Sequence, residues 1–310
     1  MKSYFFAYHR PLIALAVVVM SLCALPCRGA KIVDNAFFTL NIADDSWHVV
    51  EPSTQKQAIE TQVEISRADA SRQIIELARI DYIEMAFKPA EYLEQQIVGK
   101  ANIFCRIAKD FSEISDTTFA HLPAKCVHFV KSAAHHDFYC TAIALNAGYS
   151  TLLVITSHRD DVPNVVGDLV GTLTFKNEVQ PLTTVAQYVD AINDVLDRHS
   201  LPIGVNEHLK EVVIADSTTV ELEIAVDYIT QDGVNVPVFV QAMRDHWLKA
   251  VPSAYKLNSF TASIIDEGKT LRHVYVDSKG YDIGTLVITP TEYRWALKNS
   301  NTKKKDDTNK

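Results

Sequence analysis

The longest run of apolar residues lies near the start of the chain, from Leu12 to Leu25. Lys2 and Arg10 place positive charge before this run, and no acidic residue occurs before Asp34. The run is shorter than the roughly 20 apolar residues that span a bilayer. A basic start, a short apolar core and small residues after it are typical of a secretory signal peptide. We therefore predict that residues 1–29 are a cleaved signal and that the mature protein is periplasmic or secreted, in a bacterium.

Two alternatives to a cleaved signal remain open. One is that the apolar run stays attached as a membrane anchor, and the other is lipidation at Cys23 or Cys27. Leu22 and Pro26, which precede these two cysteines, fit a lipoprotein signal poorly. Lipidation is therefore the less favoured of the possible fates.

The part of the chain from residue 35 to residue 176 has mostly strand-like patterns. The few residues between 131 and 137 join two strand-like runs and predict a hairpin. The run 72–87 favours a strand, but a helix is the alternative because short apolar runs are ambiguous. Strands are predicted at 37–42, 58–67, 72–87, 124–131, 137–145 and 151–157, and helices at 90–98 and 162–173.

A polar stretch at 176–183, which contains Pro181, marks a boundary. After it, Thr184 and Gln187 form a capping box that predicts the start of a helix. A second helix is predicted from Asn235 to about Ala250, and strands at 209–215, 219–226, 260–266, 270–277 and 281–289. This order predicts a smaller α+β domain over 183–296, with helices on one face of an antiparallel sheet. Residues 298–310 hold no apolar side chain, so we predict a disordered tail.

Three segments of the first part carry a resemblance to a known family. They are Phe37-Phe-Thr-Leu-Asn-Ile-Ala-Asp-Asp-Ser-Trp47, the Pro-Ala-Glu-Tyr-Leu-Glu-Gln-Gln-Ile stretch from Pro89, and Gly171-Thr-Leu-Thr-Phe175. Together with the hairpins between them, they make residues 35–176 resemble the PsbP-like proteins. The resemblance implies an α/β sandwich with a central antiparallel sheet and a non-catalytic, accessory or partner-binding role. It assigns no site residue.

Charge narrows the range of partners. The chain has 30 basic and 38 acidic residues, and three of the basic ones lie in the first 30 residues. The rest of the chain therefore carries 27 basic and 38 acidic residues, a net charge of −11. An acidic surface repels phosphate backbones, so we expect a protein partner and no nucleic acid. No second apolar run is long enough to span a membrane, so we expect no membrane span after signal cleavage.

Three cysteines follow the signal: Cys105, Cys126 and Cys140. An odd number in an oxidising compartment indicates one disulfide and one thiol. Cys126 and Cys140 would face each other across the predicted hairpin if its loop were the three residues 132–134. We predict that these two form the disulfide. The alternative is two buried thiols that pack as small apolar side chains.

The tip of the same hairpin supplies the candidate metal ligands, His135, His136 and Asp137, since imidazole and carboxylate bind zinc-like ions. Adjacent histidines point in different directions, so a solvated turn is the favoured alternative. We found no nucleophile elbow, phosphate loop or zincin helix, and therefore predict no catalytic residue and no cofactor.

These observations favour an exported, non-catalytic binding or accessory protein. One alternative is an inhibitor or immunity-type protein whose acidic surface binds a basic partner. The other is a hydrolase or another enzyme whose residues converge only in the folded chain.

Overall fold

Two groups of β-strands, on either side of residues 177–180, form the framework of the protein in the computed structural model. We call residues 31–176 the first half and residues 181–307 the second half. The structure describes residues 31–307 except 35–37, 43–45, 51–59, 70–73, 84–85, 99–107, 134, 161–163, 177–180, 198–199 and 205. The predicted signal, 1–29, lies outside the described residues.

The first half contains an eight-stranded and a three-stranded sheet, and the strand pairs in both are antiparallel. The strands are β1 Lys31–Asp34, β2 Phe38–Ile42, β3 Trp47–Val50, β4 Glu60–Asp69, β5 Ile74–Ile83, β6 Ala108–Lys109, β7 Ser115–Phe119, β8 Leu122–Ala133, β9 His136–Ala147, β10 Ser150–Arg159 and β11 Leu173–Phe175. The helices are α1 Pro89–Val98 and α2 Val166–Val170. The large sheet runs β3-β4-β5-β10-β9-β8-β6, with β7 also paired to β8, and the small sheet runs β1-β2-β11.

Side chains on both faces of the large sheet are buried, as β10 shows. Leu152 and Val154 point into the core that includes the small sheet and α2, whereas Leu153 points into the apolar layer under α1. Pro89 starts α1 without cost, because the N–H that proline lacks has no partner in the first helical turn. The run 72–87, for which a helix was the alternative, contains strand β5.

The predicted Cys126–Cys140 disulfide is wrong. Strands β8 and β9 continue until Ala133 pairs with His136, so Cys126 lies opposite Ile143 and Cys140 opposite Phe129. Two-residue connections are the commonest in hairpins. It shifts the register by three residues, an odd number, so the two cysteine side chains point to opposite faces. Both are buried thiols. Cys105 lies outside the described residues.

The second half has one five-stranded sheet with the order β12-β13-β14-β15-β16. Val220, Leu222 and Ile224 of β14 face the helices, and they share one core with residues from all four helices. The helices therefore cover one face of this sheet, as predicted. The elements are α3 Val185–Leu196, β12 Leu201–Gly204, β13 Glu207–Asp216, β14 Thr219–Val226, a 3-10 turn Gln231–Gly233, α4 Val236–Leu257, α5 Ser259–Asp266, β15 Thr270–Asp277, β16 Asp282–Ile288 and α6 Pro290–Asp307.

Three predictions for the second half need correction. The segment 260–266 is the helix α5 rather than a strand, because the Asn258 side chain caps it by accepting from Thr261 N–H. Strands β14 and β15 are parallel, since α4 and α5 form the crossover that parallel strands require. Helix α6 continues to Asp307, so most of the predicted disordered tail, 298–310, is helical. Once a packed turn has nucleated a helix, each added residue gains a hydrogen bond without burial.

Within the part of the chain that the structure describes, no helix is both long and apolar enough to cross a membrane.

Candidate binding cleft between the two halves

The two halves are joined by a short backbone pairing. A β-bridge links Phe87 with Asn258, and hydrogen bonds of 2.6 and 2.8 Å hold the flanking residues together. We call the two segments, 86–88 and 257–259, the clasp. The clasp connects the start of α1 to the junction between α4 and α5.

Side chains reinforce the clasp. Ala86 is fully buried and packs into the core of the second half, although it comes from the first. The Lys88 ammonium lies 4.7 Å from the centre of the Tyr255 ring, a cation–π contact. The Tyr255 hydroxyl donates to the Asp266 carboxylate at 3.0 Å, and this hydrogen bond raises the pKa of Tyr255. The two halves are therefore joined at the clasp by backbone hydrogen bonds, by the burial of Ala86 and by the contact between Lys88 and Tyr255.

A cleft of about 350 Å³ opens beside the clasp, between α1 and the C-terminal part of α4. Glu94 of α1 and Lys256 of α4 form an ion pair between its two walls. Both side chains are more than half exposed, so solvent screens the pair and its contribution to stability is small. The cleft is lined by Glu91, Glu94, Gln95, Val98, Ser253, Lys256 and Leu257.

The sequence of α1 explains which side chains reach the cleft. Tyr92 and Leu93 are buried against the large sheet. Neighbouring positions on the opposite side of the helix are therefore left to face outward, and these include Glu94 and Gln95. Val98, at the end of the helix, is 80 % exposed. A large exposed aliphatic side chain beside two carboxylates is a surface suited to binding.

The lining of the cleft combines carboxylate, neutral polar and apolar groups. Glu91 and Glu94 offer carboxylate oxygens, which accept charge-assisted hydrogen bonds from basic side chains. Val98 and Leu257 offer apolar contact area, and Gln95 and Ser253 can bond to a peptide backbone. A segment with a basic residue next to an apolar one satisfies both kinds of group.

The candidate metal ligands at the hairpin tip do not assemble into a site. The Asp137 carboxylate accepts a hydrogen bond from the Ser132 hydroxyl and lies 3.9 Å from the Lys109 ammonium. His135 occupies the turn with φ 68°, and His136 pairs with Ala133 in the strand ladder. Among the described residues, no group of three histidine, cysteine or acidic side chains is placed to hold a metal ion.

The structure also brings together three polar side chains, linked by hydrogen bonds, that were not predicted from the sequence. The Ser200 hydroxyl lies 3.2 Å from His208 Nδ1, and His208 Nε2 lies 2.7 Å from an Asp227 oxygen. The three side chains come from different segments of the sequence, so no local sequence motif indicates that they are hydrogen-bonded to one another. The β13–β14 register, which pairs His208 with Ala225, brings the imidazole close to Asp227.

This chain has the members of a catalytic triad in an unsuitable arrangement. In a serine hydrolase the acid binds Nδ1 and the serine binds Nε2, and here the two nitrogens are exchanged. The side chains of His208 and Asp227 are also 31 % and 46 % exposed. Solvent at such a site weakens the electrostatic stabilisation on which acyl transfer depends. The arrangement is that of a surface hydrogen-bond network.

No protein-family model and no curated protein matches the chain. Among solved structures, the type II secretion system pilotin AspS from Vibrio cholerae is similar at 15% identity and a TM-score of 0.24, over 34% of this chain and 86% of that one. LpqN, involved in cell envelope biogenesis of Mycobacterium tuberculosis, is similar at 13% identity and a TM-score of 0.31, over 48% of this chain and 91% of that one. A Bacteroides thetaiotaomicron protein reaches 10% identity and a TM-score of 0.34, over 78% and 70%. These similarities are too distant to indicate what this chain does, and the PsbP-like resemblance of residues 35–176 stays a prediction.

Proposed function

We propose that this chain is an exported, non-catalytic accessory protein that binds a segment of a partner protein in the cleft. The cleft itself carries the proposal. Its walls come from both halves, and the clasp holds them together. A site built in this way is formed before binding, which lowers the entropic cost of association.

The partner segment is basic and partly apolar. Glu91 and Glu94 attract a cation, and a guanidinium that reaches Glu94 competes with Lys256 for its carboxylate. The net charge of −11 after the first 30 residues would speed the encounter with a basic partner. An inhibitor or immunity-type protein would bind a basic segment in the same way, and this alternative differs only in the activity of the partner protein. The PsbP-like resemblance of residues 35–176 also supports an accessory role.

The test places a photo-crosslinking amino acid at Val98 in the exported protein, and at Ile214 as a matched control. Ile214 is 44 % exposed and lies on β13, away from the cleft lining. We expect a discrete crosslinked species from Val98 that Glu91→Lys abolishes and that Glu211→Lys, an exposed change on β13, leaves intact. Crosslinking from Ile214 to the same species with equal yield, or a Val98 product insensitive to Glu91→Lys, would contradict the proposal.

A hydrolase is the second candidate, because the side chains of Ser200, His208 and Asp227 form a hydrogen-bonded chain, although the two imidazole nitrogens are exchanged relative to a catalytic triad. A fluorophosphonate probe, which labels activated serines, tests it directly. The accessory-protein proposal predicts no labelling of Ser200 above the level of the Ser200→Ala variant. Labelling that disappears in Ser200→Ala and in His208→Ala would establish the enzyme instead.

A further inference from the structure

Helix α6 carries an exposed tryptophan on its outer side. Tyr293 and Ala296 are buried in the core of the second half. Successive residues of a helix are turned by about 100°, so Trp295 is directed away from that core, and it is 62 % exposed. The other two tryptophans of the chain, Trp47 and Trp247, are buried and partly buried. Trp295 is thus the tryptophan whose large apolar area a binding partner can cover.

Basic residues lie beside the exposed ring. Arg294 precedes Trp295 and Lys298 follows it by three residues, and both are exposed. Residues three or four apart lie side by side on a helix, so Lys298 is a neighbour of both Arg294 and Trp295. We call Arg294, Trp295 and Lys298 the tryptophan surface. Residues 303–305, three consecutive lysines, continue the same helix.

The acidic residues of α6 do not neutralise the tryptophan surface. Before the final two aspartates, the helix has a single acidic residue, Glu292. One oxygen of its carboxylate binds the Arg244 guanidinium of α4. The other oxygen accepts from the N–H and from the hydroxyl of Thr289, each at 2.8 Å. Glu292 therefore belongs to the packing of α6 against α4, and the tryptophan surface keeps its positive charge.

This positive charge is opposite in sign to that of the rest of the molecule. Residues 290–310 hold six basic and three acidic side chains, whereas residues 31–289 hold 21 basic and 35 acidic ones. An anionic surface therefore attracts α6 and repels the remainder of the protein. The difference in charge determines which part of the molecule meets such a surface.

We propose that the tryptophan surface binds the headgroup region of an anionic lipid bilayer. An indole ring is favoured at a membrane interface, because its body is apolar and its N–H is polar. Lysine and arginine next to the ring are attracted by the negative surface potential of anionic lipids. A nucleic acid would bind better to a basic groove with several stacking rings, and this surface offers one ring. It shares no residue with the cleft, so the proposal is independent of the proposed function.

The test measures binding of the full mature protein to lipid vesicles, by co-sedimentation and by tryptophan emission. We expect binding to vesicles that contain phosphatidylglycerol and none to vesicles of phosphatidylcholine alone. The emission should move to shorter wavelength as Trp295 leaves water, and the buried Trp47 should contribute little to this change. Added salt should weaken binding, because it screens the basic side chains.

Matched variants separate this surface from the rest of the molecule. Lys298→Gln should weaken binding by about 5-fold, and Trp295→Ser should weaken it at least as much and remove the emission shift. Lys210→Gln, at an exposed lysine of β13, is the control for charge. Tyr139→Ser, at a tyrosine of the first half that is 50 % exposed, is the control for an aromatic ring. Both controls leave binding unchanged.

Three outcomes overturn the proposal. The first is that the protein does not bind phosphatidylglycerol vesicles, or binds phosphatidylcholine vesicles equally well. The second is unchanged binding in both the Trp295→Ser and Lys298→Gln variants. The third is that a single-stranded oligonucleotide shifts the tryptophan emission and the vesicles do not, because the surface then binds nucleic acid. The substituted side chains are exposed, and a circular dichroism spectrum identical to the parent confirms that each variant is folded.

Discussion

The side chain of His273 is fully buried in the core of the second half. The Trp247 indole and the His273 ring form a T-shaped pair with centroids 4.3 Å apart, and His273 Nδ1 lies 3.4 Å from the Tyr275 hydroxyl. Nε2 is among the few buried polar atoms of the described residues that have no hydrogen-bond partner. Desolvation lowers the pKa of His273 from 6.5 to about 3, so the folded protein holds a neutral imidazole.

This burial predicts a loss of stability in acid. Between the unfolded pKa of 6.5 and the folded pKa of about 3, the unfolded chain binds a proton that the folded chain does not. The free energy of unfolding therefore falls as the pH drops through this window, by at most about 1.4 kcal/mol per pH unit from this residue. Urea denaturation of His273→Leu should show a shallower pH dependence than the parent.

The control for this measurement is His246→Leu, which changes an exposed histidine of α4. Its slope of stability against pH should match that of the parent. If His273→Leu and the parent lose stability equally between about pH 6 and about pH 4, the imidazole is not the group that responds.

At the scale of single elements, sequence signals between neighbouring residues correctly predicted where a helix starts. The capping box predicted from Thr184 and Gln187 is present, with the Thr184 hydroxyl accepting from Gln187 N–H at 3.3 Å. The Gln187 side-chain oxygen in turn accepts from Thr184 N–H at 3.1 Å. All the groups involved lie within four residues, so the sequence alone contains the information.

Removal of this cap should destabilise the second half measurably. Thr184→Ala deletes the hydroxyl that satisfies a backbone donor, and the expected loss in the free energy of unfolding is about 1 kcal/mol. Thr184→Ser keeps the hydroxyl and should stay close to the parent in the same denaturation experiment. Equal stability of the alanine and serine variants would show that the cap contributes nothing.

Features that depend on contacts between residues distant in the sequence were not predicted correctly. Phe260, Ala262 and Ile264 alternate as they would in a strand, and all three are buried, yet they belong to a helix. The cap at Asn258 and the crossover into the parallel strand β15 decide the outcome, and the parallel pairing itself is a long-range choice. The predicted Cys126–Cys140 disulfide was wrong for a related reason, since the pairing of these residues depends on where β8 and β9 end.

At the scale of the whole molecule, the cleft could not be predicted from the sequence. Glu94 and Lys256 lie on helices of different halves, and only the folded chain brings them together. The composition nevertheless indicated the sign of the charge that the cleft carries. The boundary between the halves, a polar stretch with Pro181, stays a prediction.

Limited proteolysis tests both the boundary and the clasp. We expect cleavage between Lys176 and Thr184, because polar linkers between domains commonly expose their backbone. The two fragments should still elute together under native conditions, because Ala86 remains buried in the core of the second half. Separate elution of the nicked protein would mean that the clasp does not hold the halves in solution.

Replacing either of two alanines by aspartate tests whether the burial of Ala86 holds the fragments together. Ala86→Asp places a carboxylate in an apolar core, which costs several kcal/mol unless it is paired, and its nicked fragments should separate. Ala90→Asp adds the same charge in the first turn of α1, where a negative charge is favourable, and its fragments should stay together.

The clasp also has a consequence for the order in which the chain folds. Residues 86–88 are synthesised well before their partners at 257–259, which leave the ribosome only after a long intervening stretch of chain has been made. Until then, the position that Ala86 fills stays empty, and the apolar surface around it is in water. Long-range contacts of this kind must close a large loop before they gain any energy. We therefore expect docking of the halves to be the slow final step of folding, during which the nascent protein depends most on chaperones.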